Sequence, residues 1–383
     1  MWTYGSRPSP NMLPQNINLG RAQAAPSPAG VGTTRTGESK IAGQPVPGPL
    51  FIVSMWRGGS SLLYALLNKH PHVAVMFEAD LLLLRPVFLK PSKICDWPGR
   101  WELWNRTLSR HGLDAAQFDG VSPEFRSVFE TVHKEYARRK GAVIWGDKSP
   151  NYHDQLVRTA KDFPTARFII VWRDPVQTIG ATLRAAATGS RFFRKRGMPW
   201  RSLFGYRAFR RQCKQIIAGG AAVHQLHYDD LINDTGAVMQ SVCTFLDIPY
   251  DHSLTTLAGA DRSAVYAGRH HNLLRENSIV AGPRVDVIEP NLRERVQRYV
   301  AWWRQIEAGI DGSIPHDGPS FAEMQLDLLR YRWFRTLDAV IRLGFCFLPV
   351  PLLRVYRKTK AGAQQIDAAA KSLKFLPQSD IES

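Results

Sequence analysis

The chain has 383 residues, 44% of them hydrophobic, so it can bury one large α/β core with tails, or two smaller domains. Fifty Lys and Arg against 33 Asp and Glu give a formal net charge of +17, which favours anionic partners such as nucleotides, acidic sugars, nucleic acid or a membrane surface. The four cysteines, Cys95, Cys213, Cys243 and Cys346, lie far apart without a C-x-x-C pair, which argues against a disulfide scaffold or structural zinc site and for thiols in a reducing compartment.

Residues 1–48 are rich in Pro, Gly, Ser and Ala, contain no apolar run, and are expected to lack structure. With no anchor-length apolar stretch there, the expected location is the cytoplasm. Order is expected from about Pro47. Pro49–Met55 (PLFIVSM) reads as a buried strand running into glycines. Ser61–His70 places Leu62, Leu63, Leu66 and Leu67 on one helix face, and Pro71 stops it. Val73–Phe77 reads as a second strand, residues 79–140 as mostly helical, and Ala142–Trp145 as a third strand followed by the loop Gly146-Asp147-Lys148-Ser149-Pro150. Arg167–Trp172 is the fourth strand, and Asp174-Pro175 carries the N-cap and N1 signals of the next helix. Val223–Tyr228 is the fifth strand, followed by a helix over Thr235–Leu246. This alternation predicts an α/β three-layer sandwich: a central parallel sheet, helices on both faces, and a P-loop-like loop after the first strand.

In such sheets ligands sit at the carboxyl ends of the strands. Trp56-Arg57-Gly58-Gly59-Ser60-Ser61 stands between the first strand and its helix. Two glycines let the backbone curl, and the helix start offers free N–H groups, which together make an anion site. It is not a Walker A loop, because Gly replaces the Lys before the Ser and the cation precedes the glycines as Arg57. Arg173 follows the fourth strand directly and Lys148 follows the third, so three cations gather at one edge.

These segments resemble the motifs of the sulfotransferase superfamily, in its carbohydrate, tyrosylprotein and bacterial branches. FIVSMWRGGSSLLYALLNKHPHVAVMFE is similar to its 5′-phosphosulfate loop, ARFIIVWRDPVQTIGATL to its 3′-phosphate motif, GDKSPNY to the Lys-[ST]-Pro element between them, and HYDDLINDTGAVMQSVCTFLDIPY to the segment after the last core strand. The resemblance implies 3′-phosphoadenosine 5′-phosphosulfate (PAPS) as donor and no metal. It implies that Gly58, Gly59, Ser60 and Ser61 hold the 5′-phosphosulfate through backbone amides. Arg57 and Lys148 would take up charge on the leaving phosphate, Arg173 would hold the 3′-phosphate, and Tyr228 would join the donor-binding set. Where the family usually has a Ser, eight positions after the Arg, this chain has Ala181; either Thr182 or Thr178 supplies the hydroxyl or the 3′-phosphate loses that contact. Asp229 stands where Glu is usual. Sulfuryl transfer is an in-line displacement that needs positioning, charge stabilisation and a general base. Glu78, at the end of the second strand, is the leading base; His70 and His72 are its rivals.

The resemblance covers a domain expected over 49–315. Residues 184–214 hold ten Lys or Arg and no acid, interleaved with Phe192, Phe193, Trp200, Phe204, Tyr206 and Phe209. The resemblance implies that this region helps build the cleft for a small-molecule, saccharide or lipid acceptor, and its charge suits an anionic one such as an acidic saccharide, a phosphorylated glycan or an anionic lipid. Residues 316–383 read as an amphipathic helical tail. Its uncharged Leu343–Leu353 run is too short to span a bilayer, and with its Arg and Lys flanks suits either packing on the domain or peripheral contact with the inner membrane face. Other readings are a nucleotide-binding module without turnover and a small-molecule P-loop kinase. Nucleic acid is not an expected partner, because no recognition signature accompanies the charge.

Overall fold

The computed structural model describes residues 48–83, 97–122, 124–187, 193, 198–265, 277–279, 290–307, 318–356 and 358–359. Residues 1–47 of the expected unstructured lead-in, Phe192, and 360–383 of the tail lie outside them.

Five strands form one parallel sheet in the order β2-β3-β1-β4-β5: β1 (Leu50–Ser54), β2 (Val73–Phe77), β3 (Ile144–Lys148), β4 (Arg167–Trp172) and β5 (Ala222–His227). Period-two alternation sends the side chains of the central strands into two cores. Phe51, Val53, Phe168 and Ile170 face one cluster, while Leu50, Ile52, Ile169 and Val171 face the other. Both faces are therefore covered, which is why β1 and β4 read as continuous apolar runs rather than alternating ones.

Helix α1 (Ser60–Leu67) lines the second face. Helices α2 (Trp97–Ser109), α3 (Phe125–Arg139) and α4 (Leu156–Asp162) contribute to the first. Helices α5 (Pro175–Ala187) and α6 (Met198–Ala218) follow β4, and α7 (Tyr228–Asn233) and α8 (Thr235–Leu246) return to the second face. Helices α9 (Pro290–Glu307) and α10 (Phe321–Phe347) pack with α5 and α6 around Ile179, Leu203, Phe204, Tyr299 and Trp303. The expected three-layer α/β architecture is the one observed.

The anticipated start signal at Asp174 works, and Asp234 caps α8 in the same way. The Gln177 amide donates to Asp174 Oδ1 at 3.0 Å, and the Ala237 amide to Asp234 Oδ1 at 3.0 Å. The third strand differs. It runs to Lys148 instead of stopping at Trp145, because Gly146 is not a turn residue. Gly146 pairs with Leu50, where an added Cβ would lie 1.8 Å from the Leu50 carbonyl oxygen, so only glycine lets β1 approach β3. The aromatics of the basic stretch serve the core: Phe193, Phe204, Tyr206 and Phe209 are all buried.

Candidate functional site

The loop after β1 is shaped by its own backbone. The Gly58 amide donates to the Met55 carbonyl at 2.8 Å, Arg57 takes φ 65° and Gly59 φ 103°. A Cβ at Gly59 would come 2.2 Å from Cδ2 of Tyr228, so the loop presses directly on that ring. Of the four amides assigned to the donor by resemblance, the structure therefore ties Gly58 inside the loop. Those of Ser60 and Ser61 open α1, where first-turn N–H groups have no intrahelical acceptor. The Ser54 hydroxyl donates to Ser60 Oγ at 2.8 Å and fixes that side chain.

The sheet brings the three cations to one edge. Lys148, the last residue of β3 and almost fully buried, donates from Nζ to Ser61 Oγ at 2.8 Å and to Glu78 Oε1 at 2.8 Å; its ammonium lies 4.3 Å from the Phe77 ring centre. Arg173 donates from Nη1 to the Arg57 carbonyl at 2.9 Å, and its guanidinium lies 4.3 Å from the Tyr228 ring centre. The Tyr206 hydroxyl holds the Arg173 carbonyl at 3.0 Å. Burial first, then the charge of Arg173, pushes the Arg57 guanidinium down to about 10; Tyr228 and Glu78 oppose the shift. Burial also lowers Arg173, to which Arg184 adds like-charge repulsion, while Tyr228 and two aspartates oppose. The Arg57 Nε is buried without a hydrogen-bond partner. Arg173 and Arg184 thus crowd Arg57, and Arg184 crowds Arg173, so like charges gathered at this edge make an anion site in electrostatic terms.

Glu78 extends the ladder one residue past β2: its amide donates to the Lys148 carbonyl at 2.8 Å while φ turns to 49°. That left-handed turn lies beside the carboxylate's bond to Lys148. Asp80, also left-handed at φ 57°, accepts from Ser149 Oγ at 2.5 Å and from Asn151 Nδ2 at 3.1 Å. Asn151 Oδ1 in turn accepts from Trp56 Nε1 at 3.1 Å. Burial first, then the neighbouring Glu78 carboxylate, pushes Asp80 up to about 7. Asp80, Asn151 and Trp56 thus tie together the segments that carry Glu78, Lys148 and Arg57. None of the three was singled out from sequence, although Asp80 stands two positions after Glu78 and Asn151 lies within GDKSPNY.

The other expected residues make local contacts. The Thr182 hydroxyl is fully buried and donates to the Thr178 carbonyl at 2.9 Å, so that proton is held within α5. The Thr178 hydroxyl is buried and makes no hydrogen bond. His70 and His72 precede β2, whereas Glu78 follows it. His70 Nε2 meets the Pro249 carbonyl at 2.9 Å, and Nδ1 accepts from the His72 amide at 3.1 Å, so both ring nitrogens are engaged.

Residues 49–252, more than half of the chain, match the model of the sulfotransferase family. The chain belongs to the sulfotransferase family. The C. elegans protein-tyrosine sulfotransferase A is 24% identical over 206 residues, which is 53% of this chain and 50% of that protein. The zebrafish (Danio rerio) protein-tyrosine sulfotransferase 1 is 23% identical over 209 residues, 54% of each chain. This sulfotransferase therefore spans about half the length of the curated relatives it matches. Among solved structures, the sulfotransferase domain from the curacin biosynthetic pathway aligns with TM-score 0.47 and 18% identity over 67% of this chain and 99% of that one. Arg57, Glu78, Lys148, Arg173 and Tyr228 all fall within the matched span, while α9 and α10 lie beyond it.

Proposed function

We propose that this sulfotransferase moves a sulfuryl group from PAPS to a hydroxyl or amine of a small-molecule, saccharide or lipid acceptor, with Glu78 as general base. One observation carries the reading. Lys148, Arg57 and Arg173 emerge at the carboxyl ends of three adjacent parallel strands, β3, β1 and β4, with the carboxylate of Glu78 among them. A donor bearing phosphate at both its 3′ and 5′ positions supplies the negative charge that this edge lacks.

In this scheme the Ser60 and Ser61 amides and the α1 N-terminus hold the 5′-phosphosulfate, and Arg173 holds the 3′-phosphate. The acceptor oxygen or nitrogen forms a bond to sulfur as the bond from sulfur to the bridging phosphate oxygen breaks. Glu78 takes the acceptor proton, and Arg57 and Lys148 neutralise the charge left on 3′-phosphoadenosine 5′-phosphate (PAP). The bound donor competes with Glu78 for Lys148 and so releases the carboxylate toward the acceptor. Two buried free thiols, Cys213 and Cys243, suit the reducing cytoplasm in which we place the enzyme.

Thermal denaturation with PAP, AMP and ATP–magnesium tests the donor. PAP at a hundred times its dissociation constant should add about 2.7 kcal/mol by mass action, and Arg173→Ala should abolish the shift. A shift from ATP–magnesium alone would overturn the reading. Glu78→Gln should keep the PAP shift and lower labelled sulfuryl transfer by about 100- to 10,000-fold.

A further inference from the structure

Helix α10 has two faces with opposite characters. Its first half is held from behind: Met324, Leu328 and Tyr331 pack on the α5–α6–α9 cluster. Between them, the fully buried Asp327 accepts from Arg295 Nη2 at 2.5 Å and from the Tyr299 hydroxyl at 3.1 Å. The chain just past its end is held too. Arg100 Nη2 donates to the Leu348 carbonyl at 2.9 Å, Val350 and Leu353 are buried beside Trp104, and Arg354 pairs with Glu102. The helix is therefore clamped at both ends, with a capping box of Ser320 and Glu323 at its start.

The opposite face is apolar and open. Leu326, Leu329, Trp333, Leu337 and Val340 recur at i, i+3, i+7, i+11 and i+14, one stripe along the helix. Their exposures are 48%, 60%, 67%, 44% and 59%, and apolar side chains exposed in a contiguous row, rather than singly, mark an interaction surface. Of the apolar run Leu343–Leu353, Val350 and Leu353 turn inward onto Trp104, while Leu343, Leu348 and Leu352 stay exposed and add to this open surface.

We infer that this stripe docks the protein on the surface of membranes rich in anionic lipid, with α10 lying along the surface. Charge selects this occupant. From Arg330 to Thr359 the sequence carries seven Arg or Lys and a single acid, Asp338. Arg332 and Lys358 are exposed, while Arg330, Arg335 and Arg354 pair with Asp327, Asp154 and Glu102. A second copy laid on the stripe would bring the same cations together, whereas anionic headgroups neutralise them and the acyl boundary takes up the Leu, Trp and Val side chains. No described helix is long and apolar enough to cross a membrane, so surface contact is the mode that fits. The inference is independent of the donor chemistry and would place a lipid or lipid-linked acceptor beside the enzyme.

Vesicle flotation of the full chain tests it, using phosphatidylcholine alone and phosphatidylcholine mixed with phosphatidylglycerol. Binding should be at least about tenfold tighter to the anionic vesicles and should weaken with salt. The triple variant Trp333→Ser, Leu337→Ser, Val340→Ser should lose that binding by about tenfold or more. The PAP thermal shift, measured on wild type and triple variant alike, reports folding separately. A wild type that ignores anionic vesicles, or a triple variant that binds them undiminished, overturns the inference. A wild-type dimer that ignores vesicles and is dissociated by the triple variant assigns the stripe to a second copy instead.

Discussion

The two edges of the sheet use similar polar residues for different ends. At the amino edge, Asn68 brackets Val75 through both its amide and its carbonyl, at 2.7 and 3.0 Å. Lys69 donates to the Thr256 carbonyl at 2.9 Å, and His70 reaches Pro249. Each polar head there meets backbone, which closes a loop and leaves nothing to react. At the carboxyl edge, Lys148 meets Ser61 and Glu78, and Asp80 meets Ser149 and Asn151, side chain to side chain, while Arg173 alone of the three cations bonds a carbonyl. Three of the four non-glycine residues with positive φ among the described residues, Arg57, Glu78 and Asp80, lie there. Each such residue costs about 1–3 kcal/mol of backbone strain. Strain and like-charge crowding concentrated at one edge mark where the fold gives up stability to hold groups for a ligand. At the other edge the same groups add stability.

Three substitutions break or sharpen that contrast. The largest effect is expected from Lys148→Met, which removes a leaving-group cation; labelled transfer should fall about 100- to 1,000-fold while the PAP shift persists. Transfer within tenfold of wild type would return Lys148 to a structural role. His70→Ala, at the amino edge, should cost about 1–3 kcal/mol in denaturant unfolding and leave transfer within about twofold, because it strands the Pro249 carbonyl and the His72 amide. A collapse of transfer without loss of stability would instead make His70 the base. The smallest effect should come from Asp80→Asn. With its carboxyl raised to about 7 from an ordinary value of 3.8, Asp80 binds a proton more readily in the folded chain. Its contribution to stability is therefore complete below about pH 4 and is lost as pH rises toward about 7, with a slope of up to about 1.4 kcal/mol per pH unit. Asp80→Asn should flatten that slope in unfolding measured across pH 4–8; an unchanged slope would assign the titration to another group.

Much of this was legible in the chain. The β4 span and the α8 span were legible to the residue, because hydrophobic runs and their periodicity speak locally. The cations after three strands were legible because parallel topology puts such positions together. What escaped depended on long-range contact. Gly146 reads as a turn until Leu50 lies against it. The Gly58 amide looks available until the loop closes on Met55, and the bond of the Thr182 hydroxyl to the Thr178 carbonyl shows only in the folded helix. Asp80 and Asn151 gain significance only through each other, across a loop that local patterns do not connect.

The pressure of Gly59 on Tyr228 has a consequence for how the chain becomes itself. The glycine loop is made early in the sequence, yet the ring behind it arrives only with α7, after β5 has joined the sheet. Such a contact closes late in folding, since its loop-closure entropy must be met before it rewards the chain. A nascent chain released before β5 would hold every glycine of the loop and still lack its back wall. Competence to grip an anion should therefore emerge in one step with the last strand, and should be absent from shorter fragments that already contain the whole motif.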